Sequence, residues 1–142
     1  PRMRVKDARQ TFLGFWIRRL VEGKPFQVWG GRQLRDFTFV DDAVEALILA
    51  ATDDAANGCV FNLGGREVVS LKELAALLVE INGGGDYNVC PYPPEQKRID
   101  IGDYYADYQK IQSALGWRPR VGLRAGLART LRYYHKNLGR YL

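Results

Sequence analysis

With 142 residues, 46% of them hydrophobic and 26% charged, the chain has the length and composition of one ordinary globular domain rather than of a disordered segment. Its longest uncharged apolar run, Ala46 to Ala51, falls far short of the roughly 20 residues that cross a bilayer, and Pro1-Arg-Met-Arg-Val-Lys has no apolar core of a secretory signal. The expectation is a cytoplasmic protein with no membrane partner, and the +5 net charge, 21 basic residues scattered among 16 acids, points to no nucleic-acid partner.

Glycine, proline and capping residues divide the chain into elements. Asp7 can cap a helix from about Ala8 to Glu22, in which Phe12, Phe15, Trp16, Leu20 and Val21 recur at helical spacing before Gly23 stops it. Lys24-Pro25 leads into a short strand, Phe26 to Trp29. Gly30-Gly31 then turns the chain into Leu34 to Val40, where Phe37 and Phe39 alternate with Asp36 and Thr38, a pattern that predicts a hairpin or two adjacent strand edges. Asp41-Asp42, with Glu45, predicts a capping box that opens a helix over Ala43 to Ala51. That helix is apolar on nearly every side and calls for burial.

Val60 to Leu63 predicts a strand closed by Gly64-Gly65, and Ser70-Leu-Lys-Glu73 is a second capping box, opening a helix over Leu71 to Ile81. Gly83-Gly-Gly85 breaks the chain, Tyr87 to Tyr92 reads as a strand, and a polar stretch from Pro93 to Tyr105 is a natural place for ligand contacts. Asp107 caps a helix over Tyr108 to Leu115, Trp117-Arg-Pro119 forms a corner, and an amphipathic helix runs from about Leu123 to Asn137. Strands alternating with helices predict an α/β fold, a small mixed sheet with helices, in a single domain over 1–142.

Chemistry-bearing motifs are sparse. Cys59 and Cys90 have no second Cys or His beside them, so they read as small buried hydrophobes rather than as metal ligands or a disulfide. His135 stands among Tyr133, Tyr134 and Lys136, where a surface role outweighs general-base work. The sequence has no G-x-S-x-G, H-E-x-x-H or G-x-x-x-x-G-K, and its glycines do not form the G-x-G-x-x-G that cradles a dinucleotide. The acid pairs Asp41-Asp42 and Asp53-Asp54 fall at helix ends, where capping accounts for them.

Four segments rise above this background, in order: Gly30-Gly-Arg-Gln-Leu-Arg-Asp-Phe-Thr-Phe-Val-Asp-Asp-Ala-Val-Glu-Ala46, Val60-Phe-Asn-Leu-Gly-Gly65, Ser70-Leu-Lys-Glu-Leu74, and Asp107-Tyr-Gln-Lys-Ile-Gln-Ser-Ala-Leu-Gly-Trp-Arg-Pro119. The string closely resembles the C-terminal, substrate-binding half of the extended short-chain dehydrogenases, the NAD-dependent nucleotide-sugar epimerases and dehydratases. The resemblance covers essentially the whole chain. It implies that the family's glycine-rich loop and its Tyr-x-x-x-Lys pair would lie upstream of Pro1, and no tyrosine of this chain has a lysine four residues on. The N-terminal Rossmann domain would then be absent, no catalytic or cofactor-binding residue would be present, and NAD would belong only to the complete family enzyme.

What the resemblance implies for this half is recognition of a nucleoside diphosphate sugar. A guanidinium fork meets a diphosphate with charge-assisted, bidentate hydrogen bonds. The family's Arg-x-Phe-x-Tyr-Val-x-Asp arginine corresponds to Arg35, with Phe39 where Tyr is usual. A second family arginine corresponds to Arg98, with Lys97 the rival one residue away, and Tyr104 would reach the sugar or phosphate. The strand before Arg35, Gln27 to Trp29, would meet the base edge. The implied ligand is a UDP- or dTDP-sugar. If the helix over Ala43 to Ala51 packs on the missing half, its apolar surface would be uncovered here, which predicts a homodimer. The alternative is a stand-alone binding or assembly module derived from that family, without enzyme activity.

Overall fold

The computed structural model describes residues 3, 5, 6, 11–94 and 100–142. The apolar spacing of the first helix buries Trp16, Ile17 and Leu20 along one face of α1 (Phe12–Val21), with Thr11 as its N-cap. Asp7 and the turn expected to follow it lie outside the described residues. The chain then runs through β1 (Phe26–Trp29), β2 (Leu34–Asp36), α2 (Val40–Thr52), β3 (Val68–Ser70), α3 (Leu71–Asn82), β4 (Tyr87–Cys90), α4 (Gln109–Leu115) and α5 (Leu123–Asn137), with short 3-10 turns at Asp54–Ala56 and Leu138–Arg140.

The α/β class is as expected, and among the described residues its small sheet content falls into two two-stranded ladders, β1 parallel to β4 and β2 antiparallel to β3. The hairpin expected at Gly30-Gly31 does not form. Both glycines are left-handed (φ 71° and 81°), and instead of returning β2 onto β1 the turn is tied elsewhere. The Gly30 N–H donates to Cys90 O at the end of β4, and Gly31 O accepts from Lys72 N at the start of α3. Trp16 Nε1 donates to Gln27 O at 3.0 Å, fixing α1 to β1.

Four further expectations are corrected. The strand over Leu34 to Val40 stops at Asp36, and the chain is already helical at Val40. No capping box opens α2: its N-cap is Phe39, without a side-chain cap, and Asp42 turns away from its own helix. Asp42 is buried, and its Oδ2 accepts from Arg120 N at 3.1 Å and Val121 N at 2.9 Å, while Glu45 pairs with Arg120 at 2.9 Å. Among the described residues Val60 to Leu63 has no ladder partner and is not a strand. Its alternation still holds, because Phe61 and Leu63 pack on a small core of Ala46, Ile111 and Trp117 while Asn62 faces out. Cys59 is exposed and Cys90 half-buried, so neither is a core residue.

The capping box at Ser70 is present with both arms, Glu73 N to Ser70 Oγ at 3.2 Å and Ser70 N to Glu73 Oε2 at 2.8 Å. The main core joins α1, β1, α3 and α5, through Trp16, Phe26, Leu74, Leu78, Leu131 and Tyr134. By contrast, α2 buries only Asp42 and Ala46, and Val44, Leu47 and Ile48 are 47%, 67% and 58% exposed. The helix that the sequence marks for burial therefore carries uncovered apolar side chains. Among the described residues no helix is long and apolar enough to cross a membrane.

Candidate functional site

The face of β1 not used by the core, the aromatic side of α1 and the end of β4 enclose a cavity of about 710 Å³. That lies within the range of small-molecule sites. Phe12, Phe15, Trp16, Phe26, Trp29 and Tyr92 line it with rings, and Arg19, Gln27, Arg35, Asn88 and Asp100 supply polar groups. Gln27 and Asn88 are register partners across the parallel ladder, so both amides stand side by side at the cavity. The rings of Trp29 and Tyr92 are 6.0 Å apart and tilted by 59°.

Arg35 is the central residue of β2, and strand alternation sends it to the opposite side from Asp36. Asp36 Oδ2 accepts from Gly65 N at 2.8 Å and Ala106 N at 3.3 Å, a purely structural use. Arg35 has a side chain only 14% exposed. Its Nη1 donates to Leu34 O at 2.8 Å and also to Gly102 O, while Nη2 faces Asp100 Oδ1 at 3.4 Å. The 100–104 segment is itself sewn to β2. Leu34 N donates to Asp103 Oδ1 at 2.8 Å, and Tyr104 N donates to Leu34 O at 2.9 Å.

Asp100 is surrounded by a cation and a phenol. The Tyr92 hydroxyl is pushed above its ordinary value, first by burial and then by the Asp100 carboxylate nearby, against smaller opposing effects of Arg35 and Gln33. One edge of the cavity thus presents a fixed cation, a fixed anion and a protonated phenol side by side.

Of the residues singled out from the sequence, Arg35, Gln27 and Trp29 come together in this cavity. Tyr104 does not line it: its backbone bridges to Arg35 while the residue is 55% exposed. Lys97 and Arg98 lie outside the described residues. Sequence reasoning missed Tyr92, Asn88 and Asp100. Tyr92 closes a recognised strand, but nothing in the local pattern separates it from an ordinary strand aromatic. His135 is exposed, with its Nε2 2.9 Å from Asn82 Oδ1, away from the cavity.

Residues 1–64 match the model of the NAD dependent epimerase/dehydratase family. A dTDP-glucose 4,6-dehydratase of Streptomyces griseus is 37% identical over 123 residues, which cover 86% of this chain and 37% of the relative. A UDP-D-apiose/UDP-D-xylose synthase of Oryza sativa subsp. japonica is 33% identical over 87% of this chain and 34% of its own length. In three dimensions, the crystal structure of a UDP-glucose 4-epimerase from Thermotoga maritima, with UDP-glucose, superposes with a TM-score of 0.78. It is 31% identical, over 91% of this chain and 40% of that one.

Fold and sequence together match part of the extended short-chain dehydrogenase fold of epimerases and dehydratases. The chain belongs to the NAD-dependent epimerase/dehydratase family. It spans little more than a third of the length of the curated relatives it matches.

Where β3 runs directly into α3, the helix N-terminus is closed by the carboxylate of Glu73.

Proposed function

We propose that this chain is the portion of an NAD-dependent epimerase/dehydratase that binds the diphosphate of a UDP- or dTDP-sugar, and that it is not catalytic on its own. The observation that carries the reading is Arg35: a nearly buried guanidinium, held in place by two backbone carbonyls, in the wall of an aromatic-lined cavity of small-molecule size. A fixed fork of this kind binds a diphosphate oxygen without first losing side-chain freedom. Arg35 is the phosphate ligand in this reading, with Lys97 or Arg98 as a second cation, Tyr104 toward the sugar, and Gln27 and Trp29 against the base. The names of the relatives support it, since they act on dTDP-glucose and on UDP-sugars, and the Thermotoga structure holds UDP-glucose.

NAD and the oxidation of the sugar belong, in this reading, to a cofactor-binding part outside these residues. The uncovered side chains Val44, Leu47 and Ile48 of α2 support a homodimer in which this face is buried. Calorimetric titration of the chain with UDP, UDP-glucose, dTDP-glucose and NAD tests the site. Nucleotide sugar binds and NAD does not, and Arg35→Ala weakens nucleotide-sugar binding by about a hundredfold, as loss of a buried charge-assisted contact should. Equal binding by wild type and Arg35→Ala refutes the assignment.

A further inference from the structure

One group at the cavity has no role so far: the carboxylate of Asp100, an anion placed beside the very cation that would receive a diphosphate. We propose that Asp100 is a selectivity residue that makes the Arg35 site reject bare phosphate anions and accept only phosphate esters that bring a hydroxyl donor alongside the phosphate. The proposal rests on the reading of the cavity as a nucleotide-sugar site and concerns which anions that site admits.

Both charges are largely shielded from solvent, and the guanidinium is held in place. Arg35 Nη1 is anchored on the carbonyls of Leu34 and Gly102, so the guanidinium cannot swing toward a ligand and leave Asp100 behind. Asp100 is two residues from that Gly102 anchor, and its side chain is only 17% exposed. The two ends face one another at 3.4 Å, the long limit of a hydrogen bond, so the pair is a weak one that leaves room at the guanidinium edge for a further acceptor.

A phosphate oxygen that takes this edge comes to lie next to a carboxylate in a partly desolvated cavity, where like charges repel strongly. A ligand made only of phosphate has nothing to offer Asp100 and meets that repulsion in full. A ligand whose phosphate ester carries sugar hydroxyls can donate one to Asp100, and the carboxylate becomes a partner instead of an obstacle. Arg35 and Asp100 together are therefore complementary to a phosphate with a hydroxyl beside it.

The test compares UDP-glucose with inorganic pyrophosphate on the 142-residue chain by calorimetry, for the wild type, Asp100→Asn and Asp100→Ala, with thermal melts to show that each variant is folded. Wild type should bind UDP-glucose at least about tenfold more tightly than pyrophosphate, the worth of one charge-assisted contact. Asp100→Asn should tighten pyrophosphate by about tenfold, and Asp100→Ala should do the same while weakening UDP-glucose, because the hydroxyl acceptor is gone. A UDP-glucose to pyrophosphate ratio that stays within about twofold of wild type in both variants overturns the role of Asp100 and leaves the cavity's assignment standing. A wild-type chain that binds neither ligand overturns the assignment of the cavity itself.

Discussion

Asp42 offers the sharpest test of how this fold is held. Its carboxylate is buried and takes two backbone N–H groups, of Arg120 and Val121, while its own carbonyl accepts Trp117 Nε1 at 2.9 Å. One residue therefore ties the start of α2 to the segment that leads into α5. Asp42→Ala removes the carboxylate and leaves both amides without an acceptor, while the carbonyl contact to Trp117 survives. Hydrogen bonds to a charged group contribute about 1.5 to 3 kcal/mol each, and shared orphaning makes the two less than additive. The expected loss is about 3 kcal/mol, or roughly 10 °C in Tm for a chain of this size.

The control is its neighbour, Asp41, exposed in the same first helical turn, which can act only on the helix dipole. Asp41→Ala should cost about 0.5 kcal/mol. Asp42→Asn, which keeps one acceptor oxygen but no charge, should fall between the two. Urea unfolding followed by tryptophan fluorescence reads all three, with an unchanged m-value confirming a native-state effect. If Asp42→Ala and Asp41→Ala agree within about 0.5 kcal/mol, the carboxylate is not the tie described above.

Gly65→Ala should cost about 2 to 3 kcal/mol in the same assay, because an added Cβ would lie 2.5 Å from Phe37 O and 2.7 Å from Phe37 N, backbone atoms that cannot step aside. The Tyr92 phenol keeps its proton in the folded chain above the ordinary value of 10.0, whereas an unfolded tyrosine loses it there. Its stabilisation is therefore complete below about pH 10 and drains as pH rises through the higher folded value. A phenolate absorbance titration of wild type minus Tyr92→Phe should show a late-ionising step, and its absence refutes the environment assigned to this ring. Paired Leu47→Lys and Ile48→Lys substitutions should leave the urea midpoint nearly unchanged, since both side chains are more than half exposed, yet abolish self-association in light scattering.

Much of the fold was legible because it is written locally. The Ser70 to Glu73 box, the glycine stops at Gly23, Gly83 and Gly116, and the apolar spacing of α5 each need only a few neighbouring residues to take effect. Errors fell where the deciding partner is distant. Asp42 has the sequence context of a cap, but backbone amides of residues 120 and 121 claim it. Gly30-Gly31 has the context of a hairpin turn, but β4 takes the partner position that β2 would have held. Val60 to Leu63 alternates like a strand and packs like one, with no ladder beside it.

The site divides in the same way. Arg35 was legible because it stands in a family-like string, and Gln27 and Trp29 because they flank it along the chain. Asp100 and Tyr92 belong to the site only through the pairing of β1 with β4 and through the stitching of 100–104 onto β2, neither of which leaves a local mark. The two cysteines were read as core for want of any other use, and solvent reaches both.

The stitching that fixes Arg35 joins residues 65 to 69 positions apart. A ribosome makes a chain from its N-terminus at about 5 to 20 residues per second. Arg35 is thus synthesised several seconds before Asp100, Gly102 and Asp103 exist to hold it, and β1 waits almost as long for β4. During that interval the aromatic wall of the cavity has no floor, and the guanidinium is an unrestrained side chain on an unpaired strand. A polypeptide released before residue 103 would lack the polar edge of its cavity and, without α5, one of the four elements of its main core as well.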